Sequence, residues 1–442
     1  MRWLLLLLIG VLAVADTFSL DLSLAPGLSV KNAVLYMVFM ALVFRTVLSG
    51  DVKVELPSIH GMFTLWIGYA ILTCLVAALI IQYPGYHLVS ATIALKDFLI
   101  DPALFCLVAI WGLRDERDVT LIVRGIVGAI AIANVFTLLD VAGIVHLNIY
   151  IGDSGVQEGR VFGVFGHAND TGTLIACMLP PMIAVMLGAR GIARALWVGG
   201  FLASLAVLVL TVSRGAFASV AIGTLVGAYL CRRYISLQRL VLWAVVAAIA
   251  GLLVLAVTST IDPYIRGILA ERLLGQSQAA SVEEISSGRT GLWLRILSVM
   301  MDHPLSFVTG FGWNVYPVMA FPLATHNWYL DSWFNIGLIG VGIFVLIMRR
   351  TIADALQATP FASPNLRPLF PGCVFGLVNL MVGIFFVNLF TPWPYIWLYV
   401  GTMLRAARIV QEQRMAASAP RPTPARVAAR TGTVLARTSV SR

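Results

Sequence analysis

Charge is scarce in this chain: Asp, Glu, Lys and Arg make up 12% of its 442 residues, against about a quarter in an ordinary soluble protein. The mean hydropathy is +0.91, and together these exclude a soluble globular enzyme. Cysteine is sparse too. The five cysteines, at 74, 106, 177, 231 and 373, all fall inside apolar runs, so no disulfide framework is indicated. Several motifs are missing: GxxxxGK[ST] for a nucleotide, a GxSxG elbow, an Asp-x-Asp pair, and any HExxH or comparable histidine spacing. Their absence disfavours an ATP-driven pump or a metal-dependent cytoplasmic glycosyltransferase, and no metal site or cofactor is expected.

Long apolar runs are what the chain does have. They mark spans near 3–20, 31–49, 61–81, 94–113, 119–145, 170–188, 192–212, 215–231, 239–258, 328–348, 369–390 and 393–410. At about 20 residues per membrane-crossing helix, this predicts an all-α polytopic membrane protein with about 12 transmembrane helices. The first run ends in Ala13-Val14-Ala15 before Asp16, which also reads as a signal-peptidase site. Retention as a first helix is the expectation, because a polytopic protein needs no separate signal.

The formal charge of +9 looks at first like a nucleic-acid signal. Eight arginines against Glu412 put +7 of it on residues 405–442, however, leaving +2 for the rest. A basic end after a final apolar run is a cytoplasmic tail held near anionic lipid, and nucleic acid is not an expected partner. With the N-terminus inside, 22 of the 30 Lys and Arg residues fall on the inner side, fourteen of them outside that basic end. Both termini are therefore expected in the cytoplasm. Residues 1–414 form one transmembrane catalytic domain in this reading. Residues 415–442, rich in Ala, Pro, Arg, Thr and Ser, form a disordered basic tail.

The outer face then receives two long segments, about 146–169 and about 259–327, the second between helices 9 and 10. Within the second, Trp293, Ile296, Leu297, Met300 and Met301 recur at helical spacing. That stripe predicts an amphipathic helix lying on the membrane surface or capping the bundle.

Cations on the outer side run against the orientation bias and so need a reason. Arg160 lies in the glycine-rich stretch Gly159–Asn169, Arg214 in the polar break Ser213-Arg214-Gly215, and Arg289 in Ser287-Gly288-Arg289-Thr290-Gly291. Each is flanked by glycine, and guanidinium groups are planar, always-charged forks suited to phosphate oxygens. Lys96 stands beside Asp97, an obvious ion-pair partner. His326, in Thr325-His326-Asn327-Trp328, sits where the long loop enters a helix. A neutral imidazole there suits removal of a proton from a sugar hydroxyl, while the plainer role is a helix-capping histidine.

Taken together, these segments resemble the O-antigen ligase and polymerase superfamily of bacterial envelope glycosyltransferases. The resemblance rests on Gly159–Asn169 with Pro180-Pro181, Ser213-Arg214-Gly215, Ser287-Gly288-Arg289 through Trp293, His303-Pro304 to Gly310-Phe311-Gly312, and His326-Asn327 followed by Asn335-Ile336-Gly337-Leu338-Ile339-Gly340. It implies a fold similar to the GT-C-like membrane glycosyltransferases and a bacterial inner-membrane location. The implied reaction moves a glycan from an undecaprenyl diphosphate carrier to an acceptor hydroxyl at the periplasmic face, without metal. The acceptor would be lipid A-core in the ligase branch or a growing glycan in the polymerase branch. By the same resemblance, Arg214 and Arg289 hold the diphosphate and His326 activates the acceptor. Arg160, Lys96 and Asn327 are the candidate substrate-binding residues beside them. Relatives more often carry an Asn-Pro-Asn-like turn where this chain has His167-Ala168-Asn169-Asp170, so neither His167 nor Asn169 is assigned a role. The alternatives within the class are O-antigen or exopolysaccharide polymerase. The rival from another class is a secondary transporter or flippase, which should show paired broken helices and charges near the midplane.

Overall fold

The apolar runs fold as helices, the form that satisfies backbone N–H and C=O groups within one segment where no water is at hand. The computed structural model describes residues 1–20, 22–49, 57–147, 160–236, 289–319, 324–389 and 393–418, with the single residues 238, 256 and 321. In the N-terminal half these are α1 (Arg2–Thr17), α2 (Val30–Ser49), α3 (Pro57–Leu75, continued by a π-helical turn over Val76–Ile81), α4 (Leu88–Leu95), α5 (Asp101–Gly112) and α6 (Glu116–Val141). Then come α7 (Ala168–Gly188), α8 (Gly191–Leu210), α9 (Arg214–Cys231), α10 (Arg289–Asp302), the single turn α11 (Ser306–Thr309), α12 (Trp328–Ala358), α13 (Leu369–Gly383) and α14 (Trp393–Ser418). The strands among the described residues are one short antiparallel pair, β1 (Ser23–Ala25) and β2 (Leu28–Ser29).

Seven of the described helices are long and apolar enough to cross a membrane: Val30–Leu48, Ile59–Ile81, Glu116–Val141, Ala168–Gly188, Gly191–Leu210, Arg214–Cys231 and Trp328–Phe361. The chain is thus an all-α polytopic membrane protein. The expected span 239–258 apart from residue 256, the first part of the long loop up to residue 288, and the tail from 419 onward lie outside the described residues. Four boundaries differ from expectation by more than five residues. Helix begins at Leu88 rather than 94 and passes through a π-helical stretch, Lys96–Ile100, before α5; α12 runs on to Ala358; α13 stops at Gly383; and α14 continues through Ser418, past the expected end of the helical domain.

Polar groups inside the bundle mark where helices are joined. Pro180 has no N–H to give to the carbonyl four residues back, and Asn379 Nδ2 of α13 donates to that Ala176 carbonyl at 2.7 Å. Ser219 Oγ of α9 donates to the Asn379 carbonyl at 2.8 Å, so α13, which packs most heavily on α9 and α7, is tied to both. At the N-terminus, Leu5, Leu8 and Leu12 are fully buried where α1 packs on α6. Asp16 pairs with Lys31 and accepts from Tyr395 Oη of α14 at 3.0 Å, which fixes the end of α1 to the bundle. The cysteines stay unpaired and buried.

The element that shapes one end of the bundle is a break in α12, where Ile336 leaves helical geometry and Gly337 has φ +63°. The break frees the carbonyls of Phe334 and Asn335, and these accept from the N–H groups of Phe311 at 2.8 Å and Gly312 at 2.9 Å. Gly310, itself at φ +74°, brings its backbone against that break, so that a Cβ there would come 2.4 Å from the Asn335 carbonyl oxygen. A Cβ on Gly337 would sit 2.1 Å from the Val308 carbonyl oxygen. Gly337→Ala therefore carries both a left-handed backbone cost of about 1–3 kcal/mol and a clash with backbone that has no room to move. We expect a marked loss of thermal stability in detergent, measured by a melting scan; a melting temperature equal to that of the wild type contradicts this packing.

Candidate functional site

The turn between α8 and α9 carries Arg214, and a network of buried polar groups fixes it. Arg160 Nε donates to the Thr211 carbonyl at 3.0 Å and Arg160 Nη2 to Asn169 Oδ1 at 2.9 Å. Asn169 Oδ1 also accepts from Ser213 Oγ at 2.9 Å. In turn Ser213 Oγ accepts from the Ala216 N–H at 3.3 Å and so caps α9, whose first residue is Arg214. Val212 is held at φ 47°, a conformation β-branched residues rarely adopt, within this buried frame.

Two further helices begin at the same place. His167 caps α7, with its Nδ1 accepting from the Asn169 N–H at 3.2 Å; this makes Nδ1 the unprotonated nitrogen. Asn327 caps α12 by accepting from the Leu330 N–H at 3.1 Å. His326, the residue before that cap, has φ 49°, and its ring stacks on His167 at 6.0 Å between centroids. The N-terminal ends of α7, α9 and α12 thus converge, each with a partial positive charge that favours an anion.

Arg289 arrives on α10. Its Nη1 donates to the Phe386 carbonyl at 3.0 Å, and Trp293 Nε1, one turn on, donates to the Thr325 carbonyl at 2.8 Å. The helix therefore caps the bundle end, as its apolar stripe predicts, with Ile296 and Met300 fully buried. Met301 is a correction: it is 62% exposed, because it lies about 100° round the helix from Met300. The early end of α13 also belongs to the site. Leaving helical geometry after Gly383, the chain presents the Ile384 carbonyl to the Trp328 N–H at 2.9 Å and the Phe386 carbonyl to Arg289.

Electrostatics follow from this crowding. Burial, then the nearby Arg214, pushes the Arg289 pKa down, though a guanidinium stays charged at any working pH. Burial is also the main cause that drives His326 down to about 4, with Arg289 and His167 adding to it. His167 is lowered by burial, then by Arg160 and Arg289. At neutral pH the site therefore holds fixed cations beside two neutral imidazoles, which suits binding an anion next to a proton acceptor.

Among the residues expected from sequence, Arg214, Arg289, His326, Arg160 and Asn327 come together at this one end. Arg160 and Asn327 respectively donate to and accept from protein groups, holding the α8–α9 turn and the start of α12. Lys96 is held elsewhere, by Asp97 at 2.5 Å and Asp101 at 2.7 Å, in a cluster completed by Tyr36 and Asn32; this is the ion pair that its sequence neighbour suggests. His167 and Asn169, left without a role by sequence, stand in the site. The signal that could have found them is their position as the opening residues of an apolar helix. Nothing in the sequence marks the Phe386 carbonyl.

Residues 199–345 match the family model for O-antigen ligase, and the match supports the resemblance to the O-antigen ligase and polymerase superfamily. That stretch contains Arg214, Arg289 and His326, whereas Arg160, His167 and Lys96 precede it. A comparison with curated proteins gives no match.

Proposed function

We propose that this protein transfers a glycan from an undecaprenyl diphosphate carrier to an acceptor hydroxyl, as an O-antigen ligase attaching O-antigen to lipid A-core. The family match supports an O-antigen ligase-type or related polymerase function, a glycosyltransferase-like activity with glycan and lipid substrates. The observation that carries the finer reading is the placement of Arg214 and Arg289 beside neutral His326 at the converging starts of three helices. In the reaction, the bond from the anomeric carbon to the diphosphate oxygen breaks and its electron pair leaves with the diphosphate. The acceptor oxygen bonds to that carbon, and its proton passes to the His326 imidazole. Negative charge grows on the leaving group, where fixed guanidiniums and helix N-termini stabilise it. Arg160 serves this reading by holding the turn that carries Arg214.

In the same reading the chain crosses the bacterial inner membrane about twelve times, with both termini in the cytoplasm and the site at the periplasmic face. The bias of Lys and Arg toward the opposite side supports that orientation. Purified protein in detergent, supplied with lipid diphosphate-linked glycan and lipid A-core but no ATP or ion gradient, should form glycosylated acceptor. The yield should be unchanged in excess EDTA, since the arginines take the part a divalent cation would play. Activity lost in EDTA and restored by Mg²⁺ or Mn²⁺ contradicts the proposed mechanism.

A further inference from the structure

Next to the turn carrying His326 lies a cavity of about 400 Å³, within the size range of small-ligand sites, about 300–1,000 Å³. Ala324 and Trp328, on either side of that turn, form part of its wall. The wall is unusually aromatic: Trp66, Trp313, Tyr316 and Trp393 join Trp328. Among these sit a few polar groups. Asp331, in the first turn of α12, is half-buried and forms no ion pair among the described residues. Among the described residues its carboxylate receives a single long contact, from Asn335 Nδ2 at 3.4 Å. Asn388 uses its Oδ1 to accept from Thr325 Oγ1 at 3.0 Å, and its NH₂ has no partner among the described residues.

A carboxylate with no cation beside it among the described residues, inside a membrane protein, is costly and marks function by default. Flat aromatic faces with an acceptor and a donor between them suit one class of ligand, a neutral sugar ring. Its C–H face packs on aromatic surface while its hydroxyls donate to the carboxylate and accept from the amide. Asp331 in the wall disfavours an anion here. We propose that the cavity is the binding subsite for the acceptor saccharide, with Asp331 as its hydroxyl acceptor and Trp313 and Trp328 among its stacking surfaces. This rests on the proposed transfer reaction. It places the acceptor sugar on one side of the His326 turn, with the donor diphosphate on the other.

The test begins with binding alone. Full-length protein in detergent is mixed with the methyl glycosides of glucose, galactose and a heptose, and saturation-transfer NMR reads which sugar protons contact the protein. Saturation of ring C–H protons is expected for at least one glycoside. Asp331→Asn should weaken that Kd about tenfold, Trp313→Ala should reduce the saturation, and Arg289→Ala should leave both intact. No saturation with any glycoside, or equal saturation in Asp331→Asn and Trp313→Ala, overturns the subsite. In the transfer assay, Asp331→Asn should raise the acceptor KM and leave donor affinity unchanged. If donor affinity falls instead, the cavity holds the donor's sugar and the acceptor assignment is overturned. Sugar binding without any transfer by the wild type would sink the reaction but not the cavity, so the two failures are distinguishable.

Discussion

Arg289→Ala and Arg214→Ala should each reduce glycan transfer by about 30- to 1000-fold, equivalent to about 2–4 kcal/mol of lost transition-state stabilisation. Each removes a charge-assisted, fork-shaped contact to a leaving diphosphate. Lysine should rescue poorly, because a point charge cannot reproduce the planar fork. Arg289 also donates to the Phe386 carbonyl, so its loss frees one carbonyl at the site. A folding defect is separable from a catalytic one by comparing melting temperature and detergent monodispersity with those of the wild type. Near-normal transfer by Arg289→Ala removes it from the chemistry.

His326→Ala should lose turnover much more than donor binding, since the base acts on the acceptor's proton. The pH dependence gives a second readout. Because burial and Arg289 hold the free His326 near pKa 4, the neutral form persists well below the ordinary histidine range. The acid limb of kcat/KM should therefore fall with a midpoint near 4, not near the unperturbed value of about 6.5. A bound diphosphate is negative and raises that pKa, so the limb in kcat, which reports the complex, should lie at higher pH. In His326→Ala the remaining rate should follow neither limb. If the variant keeps most of the rate and the wild-type profile, His326 is a structural residue at the start of α12 and the base is another group.

Much of the fold was legible because the chemistry of a bilayer leaves few choices. Apolar runs of about 20 residues must be helices, and eleven of the twelve expected spans coincide with helix in the described residues, the remaining one, 239–258, lying outside them but for residue 256. Arg214, Arg289 and His326 were legible for a related reason. Each interrupts or borders apolar sequence at a place where topology puts it at the same end of the bundle. Residues 384–389 were misread because their side chains continue the apolar pattern of α13. There tertiary partners prevail, as the Trp328 N–H and Arg289 take the carbonyls of Ile384 and Phe386. His167 has no role in the sequence reading because the turn it opens departs from the Asn-Pro-Asn-like turn of relatives, yet its Nδ1 caps α7. Lys96 shows the converse: its outward position invited a substrate role, while its local partners Asp97 and Asp101 account for its charge. The cavity had no sequence signature, because its walls come from segments separated by more than 300 residues, from Trp66 to Trp393.

The central claim is that one site divides the work, with arginines taking the diphosphate and His326 taking the proton. Phosphorus-31 NMR tests it directly by following release of undecaprenyl diphosphate from the lipid-linked glycan in the presence of acceptor. The wild type should release it in step with formation of glycosylated acceptor. His326→Ala should shift the donor's phosphorus signals on binding but release almost none, and Arg214→Ala combined with Arg289→Ala should do neither. Release by His326→Ala at the wild-type rate, or an unchanged donor-bound signal in the double arginine variant, contradicts the account.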